Sequence, residues 1–299
     1  MAQPQLRGVF TGPTLRPAFV NTSAVDALDV VAALGLRGSW YAAPVGGGTG
    51  IGLAEHALVS PASVMKVQVA LAVETLVATG RLDGSERRVM LPAGRTPGPT
   101  GISLMLDEVT MSVRDLVLGM LTISDNAATD ELIGLVGLEQ LNWLLTQFGM
   151  ERTVISSDLR QMLEQIATDA GFATYAALVE HDPTVNGPPS ADEIRHRVAQ
   201  ATALDPTRAT RTTAAEMVGL LQAIWSDAAA PAQACRRVRE AMGRQLAMTR
   251  IASGFDHTVQ VAVFTRKDPG SVAQPGAIDA AIGRIARSLV DELRSRDGG

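Results

Sequence analysis

The hydrophobic pattern along the chain predicts a helix, a pair of strands, a long run of helices, then a strand and a final helix. Thr22 or Ser23 can cap a helix running through about Leu34, where Gly35 stops it. The segments 39–45 and 52–57 read as two strands, with Gly46-Gly47-Gly48 as the hairpin turn between them. From Val67 to Val73 almost every position is apolar, so a helix starting near Ser63 must be buried nearly all round; Gly80 ends it. Proline and glycine make 92–101 a loop. Ser112 opens a capping-box-like start to a helix through about Thr122. Helical patterns follow over Ala127 to about Val136, over 139–148 and over roughly 159–182, and then a polar loop at 183–192. Thr212-Thr213 caps a helix through Trp225, and Arg236 to Met248 predicts another. Val259 to Thr265 reads as a buried strand, and an amphipathic helix spans about Ala277 to Leu293. Residues 1–21 carry three prolines and no clear period, and predict an extended arm.

This order predicts an α+β fold. An antiparallel sheet flanked by N- and C-terminal helices is built from both chain ends, residues 1–62 and 215–299. An all-helical lobe, residues 63–214, is inserted between them. At 299 residues the chain exceeds one small core and suits one large domain or two interleaved lobes. No internal repeat is present.

Composition narrows the function classes. Apolar content of 46% with 19% charged residues is that of an ordinary globular protein. A net charge of −5 offers no basic patch, which argues against a nucleic-acid partner. Cys235 is the only cysteine, which excludes an intrachain disulfide and a cysteine-based zinc site. The histidines His56, His181, His196 and His257 are scattered, so no metal or cofactor is indicated. No apolar stretch reaches the ~18 residues of a membrane span. The first residues lack a charged region followed by an apolar one, which predicts a cytoplasmic protein unless an export signal has been removed. The expected protein is a monomer with no nucleic-acid or membrane partner.

One lysine stands out against this background. Lys66 and Lys267 are the only lysines among 26 basic residues, and Lys66 opens the most apolar helix. Burial should push its pKa down, because an ammonium without compensation costs several kcal/mol in an apolar interior. Ser63 lies three residues earlier, about 5–6 Å away on the same helix face. A neutral amine there is a candidate general base for the hydroxyl. The competing reading has Ser60 or Ser63 as a helix cap and Lys66 reaching out to solvent. A second motif, Ser124-Asp125-Asn126, follows 61 residues after Ser63 at the end of the apolar helix ending Met120-Leu121-Thr122-Ile123. Taken alone it reads as a helix cap.

The two motifs in this order resemble the class A β-lactamases and the related penicillin-binding proteins. Further similar passages are Val109 to Leu116, Gly84-Ser85, Leu204-Asp205-Pro206-Thr207 running into Thr212 to Met217, and the strand Ala262 to Thr265 with the last helix. The resemblance covers nearly the whole chain from Ser39. It implies that Ser63 is the acylated nucleophile and that Lys66 accepts or relays its proton. It implies that Ser124 carries a proton to the leaving nitrogen. It further implies that Asn126 holds the acyl side chain and keeps Lys66 in place, with Asp125 fixing the turn structurally.

Two departures limit the expectation. The family's Lys-Thr-Gly strand has no counterpart. Arg250 to Phe255 resembles the text before it, Val261 to Thr265 the strand after the next, and only Asp256 to Gln260 stand between. That predicts a sheet lacking about two strands, taking ~5–6 residues each, and with them a cation and one oxyanion-hole donor, a loss on the order of 10²–10³ in rate. His257 and Thr258 are the candidates to fill that gap, with His257 as the cation. The second departure is the family's Glu-x-x-Leu-Asn segment, which is replaced by Ser156 to Glu164 and a longer helical insertion. Asp158 and Glu164 are the only carboxylates there to activate water, and both read as surface charges. The leading expectation is β-lactam opening through a Ser63 acyl-enzyme. The alternatives are D-alanyl-D-alanine peptidase-like or esterase activity, and a catalytically impaired homologue that only binds.

Overall fold

Strand alternation decides how the sheet is covered. The computed structural model describes residues 22–245, 259–268 and 270–297. In chain order the elements are α1 (Thr22–Ala33), β1 (Leu36–Pro44), β2 (Ile51–Leu53), α2 (Met65–Ala78), β3 (Arg87–Met90) and β4 (Val109–Ser112). The helices α3 (Val113–Ile123), α4 (Asn126–Val136), α5 (Leu138–Gln147), α6 (Leu159–Asp169), α7 (Tyr175–Glu180), α8 (Pro183–Asn186) and α9 (Ala191–Ala199) follow. The chain continues through α10 (Ala214–Trp225), α11 (Ala232–Met242), β5 (Val259–Lys267) and α12 (Pro275–Asp297).

The fold is α+β, as expected, mostly helical with a small antiparallel sheet. Among the described residues the main sheet runs β2-β1-β5, so the two ends of the chain meet edge to edge, with Trp40 opposite Val263 and Tyr41 opposite Ala262. Side chains alternate across it. Trp40, Ala42, Val259 and Val261 join Ala27, Val31, Ile285 and Leu289 of α1 and α12 in one core. Tyr41, Ala43, Ala262 and Phe264 face the other way, into the larger core with α2, α10 and α11.

Helix α2 runs through the centre of that larger core, and every residue from Met65 to Leu76 is buried. Its polar residues therefore need partners. The Glu74 carboxylate meets Arg237 of α11 at 3.1 Å. Burial pushes its pKa up, and Arg237 pulls part of that back. Among the described residues no helix is long and apolar enough to cross a membrane.

Several local expectations are corrected. The single helix expected over 159–182 is two: α6 ends at Asp169, Gly171 turns the chain at φ +91°, and Thr174 caps α7 by accepting from Ala177 N. The expected loop at 183–192 contains α8, and its last residues start α9, where Ser190 and Glu193 form a reciprocal capping box. The second strand ends at Leu53 rather than 57, because Ala54 adopts φ 47°. Helix α11 starts at Ala232, ahead of Arg236, directly after Pro231. The small β3–β4 sheet, with Arg87 opposite Ser112, was not expected. The expected strand loss falls on residues outside those described.

Candidate active site

Ser63 sits in a 3₁₀ turn, Ala62–Val64, immediately before α2. Ala62 ahead of it adopts φ 47°, a left-handed conformation costly for a residue with a side chain. Ser63 does not cap α2: Val64 is the cap residue, and no side chain bonds the helix start. Lys66, in the first turn of α2, is only 2% exposed, so it does not reach solvent. Its Nζ donates to Ser124 O at 2.6 Å, Ser124 Oγ at 2.9 Å and Asn126 Oδ1 at 2.8 Å. Three acceptors match the three N–H bonds of an ammonium. Burial lowers its pKa to about 8, with the nearby charges of Asp125 and Asp130 opposing the fall.

The partner motif is a sharp reversal between two helices. Ser124 ends α3 in the left-handed conformation, φ 59° and ψ 36°, and Asp125 caps α4. Such backbone strain costs on the order of 1–3 kcal/mol and persists where the surroundings over-determine it. Here the turn lets one residue offer both its carbonyl and its hydroxyl to Lys66. The same hydroxyl donates to Ser63 Oγ at 3.0 Å. Asp125 is 1% exposed and accepts from Ile102 N at 2.6 Å and Ala128 N at 3.1 Å. Gly101 lies against it at φ +63°, where an added Cβ would collide with Asp125 Oδ2. Asn126 Nδ2 donates to Pro97 O at 2.9 Å, which turns its Oδ1 toward Lys66.

Ser63, Lys66, Ser124 and Asn126 are thus brought together across 60 residues of chain. When Lys66 is neutral, a proton can pass from Ser63 through Ser124 Oγ to the amine. His257 and Thr258 lie outside the described residues. Asp158 caps α6 by accepting from Gln161 N at 2.7 Å, and Glu164 accepts from Tyr175 N at 2.9 Å. Sequence reading missed Pro97 and Asp130. The first acts through a backbone carbonyl, which leaves no mark in a sequence. The second had one usable signal, its position four residues after Asn126 on the same helix face.

The fold and this arrangement define a β-lactamase-type serine hydrolase architecture. Residues 23–285 match the model of the β-lactamase enzyme family, and the chain belongs to that family. It is 28% identical over 301 residues to the β-lactamase regulatory protein BlaB of Streptomyces cacaoi, covering 87% of this chain and 94% of that protein. A β-lactamase from Sphaerobacter thermophilus shares the fold with a TM-score of 0.67 at 20% identity, over 90% of this chain and 95% of that one. A variant of PBP-A, solved as its acyl-enzyme complex with penicillin G, matches with a TM-score of 0.66 at 16% identity, over 91% and 96%.

Proposed function

We propose that this protein is a class A β-lactamase-type serine hydrolase that opens a β-lactam, or a related amide or ester, through a Ser63 acyl-enzyme. The observation that carries this reading is the hydrogen-bond chain from Lys66 Nζ through Ser124 Oγ to Ser63 Oγ, at 2.9 and 3.0 Å. Ser63 Oγ bonds to the lactam carbonyl carbon as its proton leaves toward Ser124 and neutral Lys66. The C–N bond then breaks, and Ser124 returns a proton to the nitrogen. Asn126 keeps Lys66 in place and turns its remaining amide N–H to the acyl side chain. Asp125 holds the turn rigid, and His257 and Thr258 serve the substrate carboxylate. The reading takes a monomer with a helical lobe, 63–214, against a sheet lobe, 1–62 and 215–299, and needs no cofactor.

Release of the acyl group is slow in this reading. Asp158 caps α6 and Glu164 accepts from Tyr175 N, so each already has a structural role at a helix end, and neither bonds Ser63, Lys66, Ser124 or Asn126. That favours lasting acylation, as in a penicillin-binding protein or a D-alanyl-D-alanine peptidase-like enzyme, over rapid antibiotic resistance. A second reading, a binding protein with a regulatory role, draws support from the similarity to BlaB. Mass spectrometry after incubation with penicillin G tests the first: a covalent adduct, absent in Ser63→Ala, is expected. Steady hydrolysis of a chromogenic cephalosporin would assign a true β-lactamase. No adduct with any β-lactam or ester probe would leave only the binding role.

A further inference from the structure

Asp130 meets the same centre from a side that the proposed chemistry does not use. It stands on α4, one helical turn beyond Asn126. Its Oδ1 accepts from Leu159 N at 2.8 Å, and its Oδ2 accepts from Arg160 N at 2.9 Å and Thr96 Oγ1 at 2.6 Å. Thr96 is buried, and the next residue is Pro97, whose carbonyl takes Asn126 Nδ2. A closed ring therefore runs from Asn126 along α4 to Asp130, across to Thr96, and through Pro97 back to Asn126. An amide has its oxygen on one side and its N–H bonds on the other. With Nδ2 held by Pro97, the Asn126 oxygen is left for Lys66.

Charge points the same way. Asp125 and Asp130 are the carboxylates that act on Lys66. Asp130 lies on a cavity of about 270 Å³, shared with Arg95, Glu131, Asp158 and Arg160. The cations there are turned elsewhere: Arg160 donates to Gly94 O at 2.6 Å, and Arg95 donates to Met90 O at 2.8 Å and to the carbonyls of Met105 and Asp107. Glu131 is paired with Arg88 at 2.7 Å, and Asp158 repels Asp130. No guanidinium among these groups bonds the Asp130 carboxylate.

We infer that Asp130 is a positioning residue for the acylation centre. Its carboxylate holds Asn126 against Lys66 through Thr96 and Pro97, and its negative charge lies behind that contact. The consequence for rate rests on the acyl-enzyme reading; the consequence for the lysine does not.

Two lysines make the test direct. Protein labelled with ¹³C at lysine Cε gives two NMR signals, which Lys267→Arg assigns. The Lys66 signal is expected to titrate near 8 in the native protein. In Asp130→Asn the midpoint is expected to fall by about half a pH unit or more, because losing a nearby negative charge disfavours the ammonium. Thr96→Val keeps the charge and breaks the ring. Its Lys66 midpoint is expected to fall less than in Asp130→Asn, while acylation of Ser63 by a fluorescent penicillin slows several-fold. An unmoved midpoint in folded Asp130→Asn, or native acylation speed in Thr96→Val, overturns the inference. If circular dichroism shows that Asp130→Asn does not fold, the paired Thr96→Val measurements decide. A protein that takes no penicillin yet shows the shifted midpoint loses the hydrolase reading and keeps the positioning one.

Discussion

Lys66 reaches Ser124 twice, donating to its backbone carbonyl at 2.6 Å and to its hydroxyl at 2.9 Å. The carbonyl bond fixes the amine, and the hydroxyl bond connects it to Ser63. The connection exists because Ser124 is held in a left-handed turn, which aims both oxygens the same way. In the proposed mechanism that hydroxyl joins base to nucleophile and matters as much as either end.

Lys66→Met and Ser124→Ala should therefore each slow acylation by penicillin on the order of 10²–10⁴-fold, the usual contribution of positioned proton transfer. Stopped-flow fluorescence with a labelled penicillin measures it. A Ser124→Ala protein acylated at native speed would show that Lys66 acts on Ser63 without the relay.

The rate should also depend on pH with a definite sign. In the proposed mechanism the neutral amine is the base, and burial lowers the Lys66 pKa to about 8, so acylation should rise as pH passes through about 8 and then level off. Stability follows from the same shift. The folded pKa lies below the ordinary lysine value of 10.5, so the unfolded chain binds more protons between the two values, and the burial penalty fades as pH rises from about 8 to 10.5. Any stability advantage of Lys66→Met over the native protein should shrink across that window in urea titrations at successive pH values.

Gly101→Ala should disturb the site from behind. The position needs φ +63° and has no room for a Cβ beside Asp125. A loss of about 1–3 kcal/mol is expected, with slower acylation as the loop shifts. Thermal melting and the acylation rate together report it; an alanine protein as stable as the native one contradicts the close contact.

The Glu74–Arg237 pair should be asymmetric. Glu74 is 4% exposed, and Arg237→Ala strands its carboxylate inside the core, a loss of about 3 kcal/mol or more. Glu74→Gln, which leaves only the more exposed Arg237 charge behind, should lose less. Chemical denaturation of both variants gives the comparison.

Asp158 and Glu164 should matter to stability and not to turnover. Asp158→Ala removes the cap of α6 and should cost about 1 kcal/mol. Neither Asp158→Asn nor Glu164→Gln should change the lifetime of the acyl adduct followed by mass spectrometry. A longer-lived adduct in either variant identifies the missing base.

Much of the architecture was legible in the chain. The apolar run from Val67 to Val73 foretold a helix buried all round, and Ser112 and Thr213 capped helices where their spacing put them. The misreadings have physical causes. The paired strands β3 and β4 are each four residues long, lie on either side of a long loop and are largely unburied, so neither carries the apolar–polar alternation of a half-buried strand. The break at Gly171 was hidden because helical patterns continue on both sides of it.

By itself the sequence determined which residues could do chemistry: a serine and lysine one turn apart, and a Ser-Asp-Asn turn that caps a helix. These are local matters, set by spacing and by the caps of short segments. Only the tertiary structure decided that the lysine is caged by three oxygens from that turn, that Pro97 orients Asn126, and that Asp130 closes the ring behind them. Hydrogen bonds are directional and short, so they depend on where segments 30 to 60 residues apart are packed. The lowered pKa of Lys66 is likewise a sum over everything that buries it, and no stretch of sequence contains that sum.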